Sequence, residues 1–74
     1  MNIVSKTKIK ILKGIKEGYC HGYGISKELG ISLSTIYVHL AELVKAGFVE
    51  YEEKDRKKVY RLTEKGEMLL KALE

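Results

Sequence analysis

The sequence predicts an α+β fold in which three helices are followed by a two-stranded hairpin and a closing helix. Two observations carry this. Apolar residues recur at helical spacing in segments punctuated by glycine as far as Gly47, and from Phe48 onward the period changes to two. A third sets the scale: a chain of 74 residues buries only about 60% of its unfolded surface, which leaves no core to divide. Residues 1–74 are therefore expected to form one domain.

The first helix is expected over residues 5–16, where Ile9, Leu12 and Ile15, with Ile11 beside them, form an apolar stripe and Lys6, Lys10, Lys13 and Lys16 lie mostly elsewhere. Gly18 supplies its stop. After a short extended piece, Tyr19 to His21, a second helix fits residues 23–29 with Ile25 and Leu29 one turn apart and Gly30 at its end. A tight turn leads to a third helix over residues 33–46, capped by Ser32 or Ser34. Ile36, Leu40, Leu43 and Val44 share one of its faces, and Gly47 terminates it. Val49 and Tyr51 then alternate with Glu50 and Glu52, and residues 59–62 mirror them across a charged loop at residues 54–57. Thr63 can cap a last helix, residues 63–74, with Met68, Leu69, Leu70 and Leu73 on its apolar side; Gly66 in its first turn counts against helix formation.

Composition bounds the function classes. With 45% hydrophobic and 32% charged residues and no proline, the profile is that of a globular chain rather than a disordered one. Fourteen Lys and Arg against ten Asp and Glu give +4, which favours polyanionic partners. The single Cys20 cannot close an internal disulfide, and no stretch is apolar enough for a signal peptide or a membrane span, so the cytoplasm is the expected compartment. Cys20 and His21 are adjacent but His39 is distant, and no further ligands complete a metal set; no cofactor motif is present. Paired carboxylates in a cleft, a nucleophile beside a base and a phosphate loop are likewise missing, which argues against an enzyme.

Two short helices across a tight, glycine-containing turn have the form of a helix-turn-helix, at about residues 23–46, whose second member lies in the DNA major groove. The hairpin that follows, about residues 48–62, then acts as a wing, and the predicted architecture is a winged helix-turn-helix. The outward face of the third helix carries Ser34, Thr35, Tyr37, Val38 and His39, with Ser32 at its start. A serine there serves as cap while still able to meet a phosphate, Tyr37 follows the core position Ile36 and is read as a DNA contact over plain packing, and His39 is either a contact or a plain surface histidine. Lys54, Arg56, Lys57 and Lys58 would form a solvated loop in isolation; after a recognition helix they are placed to reach backbone or minor groove, Arg56 and Lys57 foremost. Tyr23 and Lys27, on the helix before, are placed for phosphate contacts. Residues 48–62 carry five basic and four acidic side chains, so their charges must segregate in space if the wing is to present a basic edge. Most of the surplus sits in the first helix, as a second phosphate contact or a solvated face.

Four segments together resemble the PadR-type branch of winged-helix transcriptional regulators: HGYGI from His21, STIYVHLAELVKAGFVE from Ser34, DRKKVYRLT from Asp55 and TEKG from Thr63. The resemblance runs from about Lys10 to Leu70, and MarR-type and ArsR-type regulators share the same winged core. It implies a repressor-like regulator, a homodimer on a palindromic operator, with Tyr37 and Arg56 at DNA-facing positions. PadR-type proteins commonly carry a further helical region for dimerisation; with only about ten residues after the wing, dimerisation is expected through the first and last helices. Two other readings compete with sequence-specific duplex binding. One is a protein-docking winged helix, since the third helix holds Glu42 but no arginine; the other is nonspecific architectural DNA binding. A membrane-surface role for the first helix conflicts with the need for its apolar stripe in the core.

Overall fold

The computed structural model describes residues 5–73. The outer limits expected for the domain, residues 1 and 74, and the final residue expected for the closing helix lie outside the described residues. The order of elements is α1 (Lys6–Lys16), α2 (Gly22–Leu29), α3 (Leu33–Lys45), β1 (Val49–Lys54), β2 (Lys57–Leu62) and α4 (Glu64–Leu73).

Caps fix the helix boundaries. Ser5 accepts from Lys8 N at 3.2 Å and opens α1. Of the two serines competing to cap α3, Ser32 takes the role: its backbone is extended and its Oγ accepts from Thr35 N at 3.4 Å, which leaves Ser34 inside the first turn. At the other end Gly47, with φ of +86°, lets the chain turn back so that Gly47 N donates to Val44 O and Phe48 N donates to Leu43 O. This pair of bonds satisfies two orphan carbonyls and brings Phe48 onto the core beside Leu43.

The core is one cluster drawn from every helix and both strands: Ile11, Leu12 and Ile15 from α1, Ile25 from α2, Ile36, Leu40 and Leu43 from α3, then Phe48, Val49, Tyr60 and Leu70. In α4 the expected apolar face is only half used. Leu70 is buried and Leu69 packs at the edge, but Met68 is 65% exposed and Leu73 51% exposed. The reason is geometric: α4 meets the core across a single narrow stripe near its first turns, and the residues flanking that stripe point away from it.

That close approach explains Gly66. A Cβ there would overlap the Phe48 carbonyl oxygen and lie 3.0 Å from the Phe48 carbonyl carbon, so the residue that weakens α4 by helix propensity is the one that lets it dock. Thr63 caps the helix as expected, accepting from Gly66 N at 3.1 Å, and its hydroxyl donates to Gly47 O at 2.6 Å. Lys65 Nζ donates to Ala46 O at 2.8 Å. The start of α4 is thereby tied to the end of α3.

The two strands are antiparallel, with Val49 opposite Leu62, Tyr51 opposite Tyr60 and Lys54 opposite Lys57. The expected four-residue loop at residues 54–57 is corrected to a two-residue turn: Lys54 and Lys57 close the ladder, and only Asp55 and Arg56 lie outside it. Both have positive φ, 52° and 67°, as a turn matched to the strand twist requires. The outer edge of β2 is covered by the extended piece before α2, where Tyr60 N donates to Cys20 O at 2.8 Å and His21 Nδ1 donates to Lys58 O at 3.1 Å.

Candidate nucleic-acid interface

The buried face of α3 is set by Ile36, Leu40 and Leu43, so the opposite face is presented to solvent. Ser34, Thr35, Tyr37 and Val38 are all exposed on it. The hydroxyls divide in role. Ser32 Oγ donates to Thr35 Oγ1 at 2.8 Å, which ties those two to each other, while Ser34 Oγ sits 3.5 Å from Ser32 Oγ and is the freer donor. Val38 is 57% exposed, with no polar group of its own. Ala41 and Lys45 continue the same exposed line toward the C-terminus; the signal for them was in the sequence, as the positions one and two turns beyond Val38.

Tyr37 is 45% exposed, and its ring rests on the start of α2: a Cβ on Gly22 would come within 2.7 Å of the ring. One side chain of Tyr37 thus both packs on α2 and keeps a solvent-exposed part. Nothing in the sequence marked Gly22 as the seat of this ring, because the contact joins two helices. His39 departs from the outward face. Its Nδ1 is buried and without a hydrogen-bond partner, 3.8 Å from the Glu42 carboxylate, so the ring is turned toward the α1–α3 seam. Glu42 in turn receives Lys8 Nζ at 2.6 Å, and this ammonium holds the Glu42 carboxyl below its ordinary range. Of the α1 lysines, Lys8 is therefore occupied in joining two helices.

On the wing the charges do segregate. Arg61 Nε reaches Glu50 at 2.7 Å and Arg61 Nη1 reaches Glu52 at 3.3 Å, across the strands and toward the base of the hairpin. The two carboxylates raise the Arg61 pKa, Glu50 most. Among the described residues Lys54, Arg56, Lys57 and Lys58 make no ion pair, so the tip carries four cations against Glu53 and Asp55. Lys58 Nζ lies 4.7 Å above the Tyr51 ring, which in turn packs on Tyr60 at 5.5 Å. On α2, Tyr23 is exposed and Lys27 Nζ stands 5.7 Å from its ring centre.

An open cleft of about 820 Å³ separates the wing from the helices, lined by Gly22, Tyr23 and Tyr37 on one side and by Arg56, Lys57 and Lys58 with the carboxylate of Glu53 on the other. Residues far apart in sequence are brought together there, aromatic rings facing free cations, while Ser34, Thr35 and Val38 lie on the exposed face of α3 that carries Tyr37. Among the described residues no group of three or more His, Cys, Asp or Glu side chains is placed to hold a metal ion, and no helix is long and apolar enough to cross a membrane.

The family model for bacterial regulatory proteins of the arsR family matches residues 5–51, from the cap of α1 into β1. The chain belongs to this arsR family. Its build is that of a winged helix-turn-helix. Solved structures with the same fold include the PcaV transcriptional regulator of Streptomyces coelicolor in complex with its natural ligand, 17% identical with a TM-score of 0.86 over 92% of this chain and 51% of that one. The adhesin competence repressor AdcR of Streptococcus pyogenes is 19% identical, with a TM-score of 0.88 over 95% of this chain and 53% of that one. Wild-type MarR of E. coli is 23% identical, with a TM-score of 0.87 over 93% and 54%. The arsR-family chain thus spans about half the length of these regulators. No curated protein sequence matches it significantly. The coarser expectation from sequence, a winged-helix regulator, stands; the family that matches is the arsR one rather than the PadR type.

Proposed function

We propose that this arsR-family chain is a repressor-like regulator that binds duplex DNA sequence-specifically as a homodimer in the cytoplasm, and that it works by binding rather than by catalysis. The observation that carries the reading is the cleft itself, where Tyr37 from the exposed face of α3 and Tyr23 from α2 stand across from the wing cations Arg56, Lys57 and Lys58. With α3 in the major groove, Ser34, Thr35, Tyr37 and Val38 face base edges, and Ser32 lies at the helix start against a phosphate. Lys54, Arg56, Lys57 and Lys58 then meet the backbone or the neighbouring minor groove, and Tyr23 and Lys27 the phosphates beside α2. His39 contributes only through the part of its ring not turned to Glu42. The PadR-like segments enter the reading as a recognition helix and wing of shared design, and residues 1–74 as one DNA-binding unit.

Dimerisation through α1 and α4 is supported by the exposure of Met68 and Leu73, which a second copy would cover. The test is titration of the purified protein into random duplex DNA and a selected pool at several salt concentrations, with its mass followed by light scattering. If each half-site makes ~4 phosphate contacts, a dimer shows a slope of log affinity against log salt of about −7. Tyr37→Ala and Arg56→Ala each lower affinity by about tenfold, corresponding to roughly 1.4 kcal/mol. A slope near zero rejects the proposal and favours protein docking.

A further inference from the structure

Over its first turns the exposed face of α3 lacks the arginine and lysine side chains that read guanine. From Leu33 to Ala41 its solvent-facing residues are Leu33, Ser34, Thr35, Tyr37, Val38 and Ala41, with no arginine, lysine, asparagine or glutamine. The next cation along that line, Lys45, lies a further ~16 Å from Ser34 along the axis at 1.5 Å per residue, at the end of the helix away from its base-reading turns. The cations that line the cleft instead belong to the wing. Charge and apolar surface are thus divided between two elements.

In the major groove each base pair offers one apolar group, the C5-methyl of thymine, whereas guanine offers two acceptors suited to arginine or lysine. Val38 and Ala41, exposed one turn apart, with the methyl of Thr35 beside Val38, form an apolar strip that nothing among the described residues covers. Resting on the proposal that α3 enters the major groove, we propose that this strip selects its operator by covering thymine methyl groups, with Val38 as the principal specificity residue, so that each half-site has thymines under α3. Wing cations supply affinity without regard to sequence, and α3 supplies selectivity by burying methyls.

Deoxyuridine differs from thymidine only by that methyl, so it is the direct probe. Duplexes recovered by selection are resynthesised with dU in place of single thymines in the half-site, and the affinity of the full chain is measured by fluorescence anisotropy at two salt concentrations. One buried methyl is worth about 0.8 kcal/mol, which makes the expected loss about fourfold at each thymine under the strip. Val38→Ala weakens binding to the thymine duplex, leaves the salt slope unchanged and abolishes the dU penalty at the thymine it covered; a purely structural role would weaken thymine and uracil duplexes alike. Selected half-sites led by guanine, or tight, salt-dependent binding that ignores every dU substitution, overturns the inference while leaving DNA binding intact. Failure to bind any duplex overturns the regulator proposal and this inference with it.

Discussion

Replacing Gly66 and Gly14 by alanine makes the same chemical change in two helices and should move stability in opposite directions. In a helix interior the change to alanine gains up to about 1 kcal/mol. At Gly14 the new Cβ has nothing within 4 Å, so the gain is realised and Tm rises by about 4 °C. At Gly66 the new Cβ collides with the backbone of Phe48, which no rotamer change can relieve. The first turn of α4 must lift, straining the bonds from Thr63 N to Phe48 O at 3.1 Å and from Thr63 Oγ1 to Gly47 O at 2.6 Å. Overpacking of this kind costs about 1–3 kcal/mol, and a weakened hydrogen bond about 1 kcal/mol more. The net loss after the propensity gain is about 2 kcal/mol, or about 8–16 °C in Tm for a chain of this size. Thermal and urea unfolding followed by far-ultraviolet circular dichroism measure both variants. Gly66→Ala with an unchanged or raised Tm would show that the approach of α4 to Phe48 is not tight, and equal losses at both sites would show that the collision is not the cause.

The turn at Asp55 and Arg56 gives a second pair of opposed readouts. Arg56 at φ 67° has a backbone conformation costing a non-glycine residue roughly 1 kcal/mol, so Arg56→Gly should raise the unfolding midpoint while weakening DNA binding and making the salt slope shallower by about one per half-site; a fall in both stability and affinity would contradict this. The Lys8–Glu42 contact predicts a pH dependence. The Glu42 pKa is lowered by Lys8 in the folded chain, so this contribution is present above the unfolded carboxylate value near 4.5 and is lost as pH falls through the folded value. Urea midpoints measured between pH 7 and pH 3 should therefore decline less steeply on the acid side for Glu42→Gln than for the parent protein, and identical acid limbs would refute the linkage.

Much of this fold was written locally. Ser5, Thr63, Gly30 and Gly47 mark helix ends through bonds to residues a turn away, and the buried stripes of α1 and α3 follow directly from the helical period. What escaped the sequence was set by tertiary contact. Ser32 and Ser34 are equivalent as letters and are separated only by which one keeps an extended backbone. Gly66 reads as a defect until Phe48 is placed against it, and His39 reads as outward until its buried Nδ1 is found 3.8 Å from the Glu42 carboxylate. In α4 the period alone could not say how wide a stripe the core would accept, and so overstated the burial of Met68 and Leu73. For the candidate interface, the exposed positions of α3 and the basic residues of the wing were legible; the cleft that joins them, and the seat of Tyr37 on Gly22, were not.

Arg61 resolves what the wing's composition leaves ambiguous. A hairpin with five cations and four carboxylates is nearly neutral by count, and nearly neutral surfaces do not draw a polyanion. Because side chains alternate along a strand, Glu50 and Glu52 share one face of β1, and the register sets Arg61 directly across from Glu50. One guanidinium can therefore engage both carboxylates, with two hydrogen bonds in a fixed geometry that a lysine could not match. The acidic pair is held toward the base of the hairpin, and the four remaining cations gather at the tip, where they outnumber Glu53 and Asp55. In a chain with an overall surplus of only four charges, strand register rather than net charge makes the basic edge.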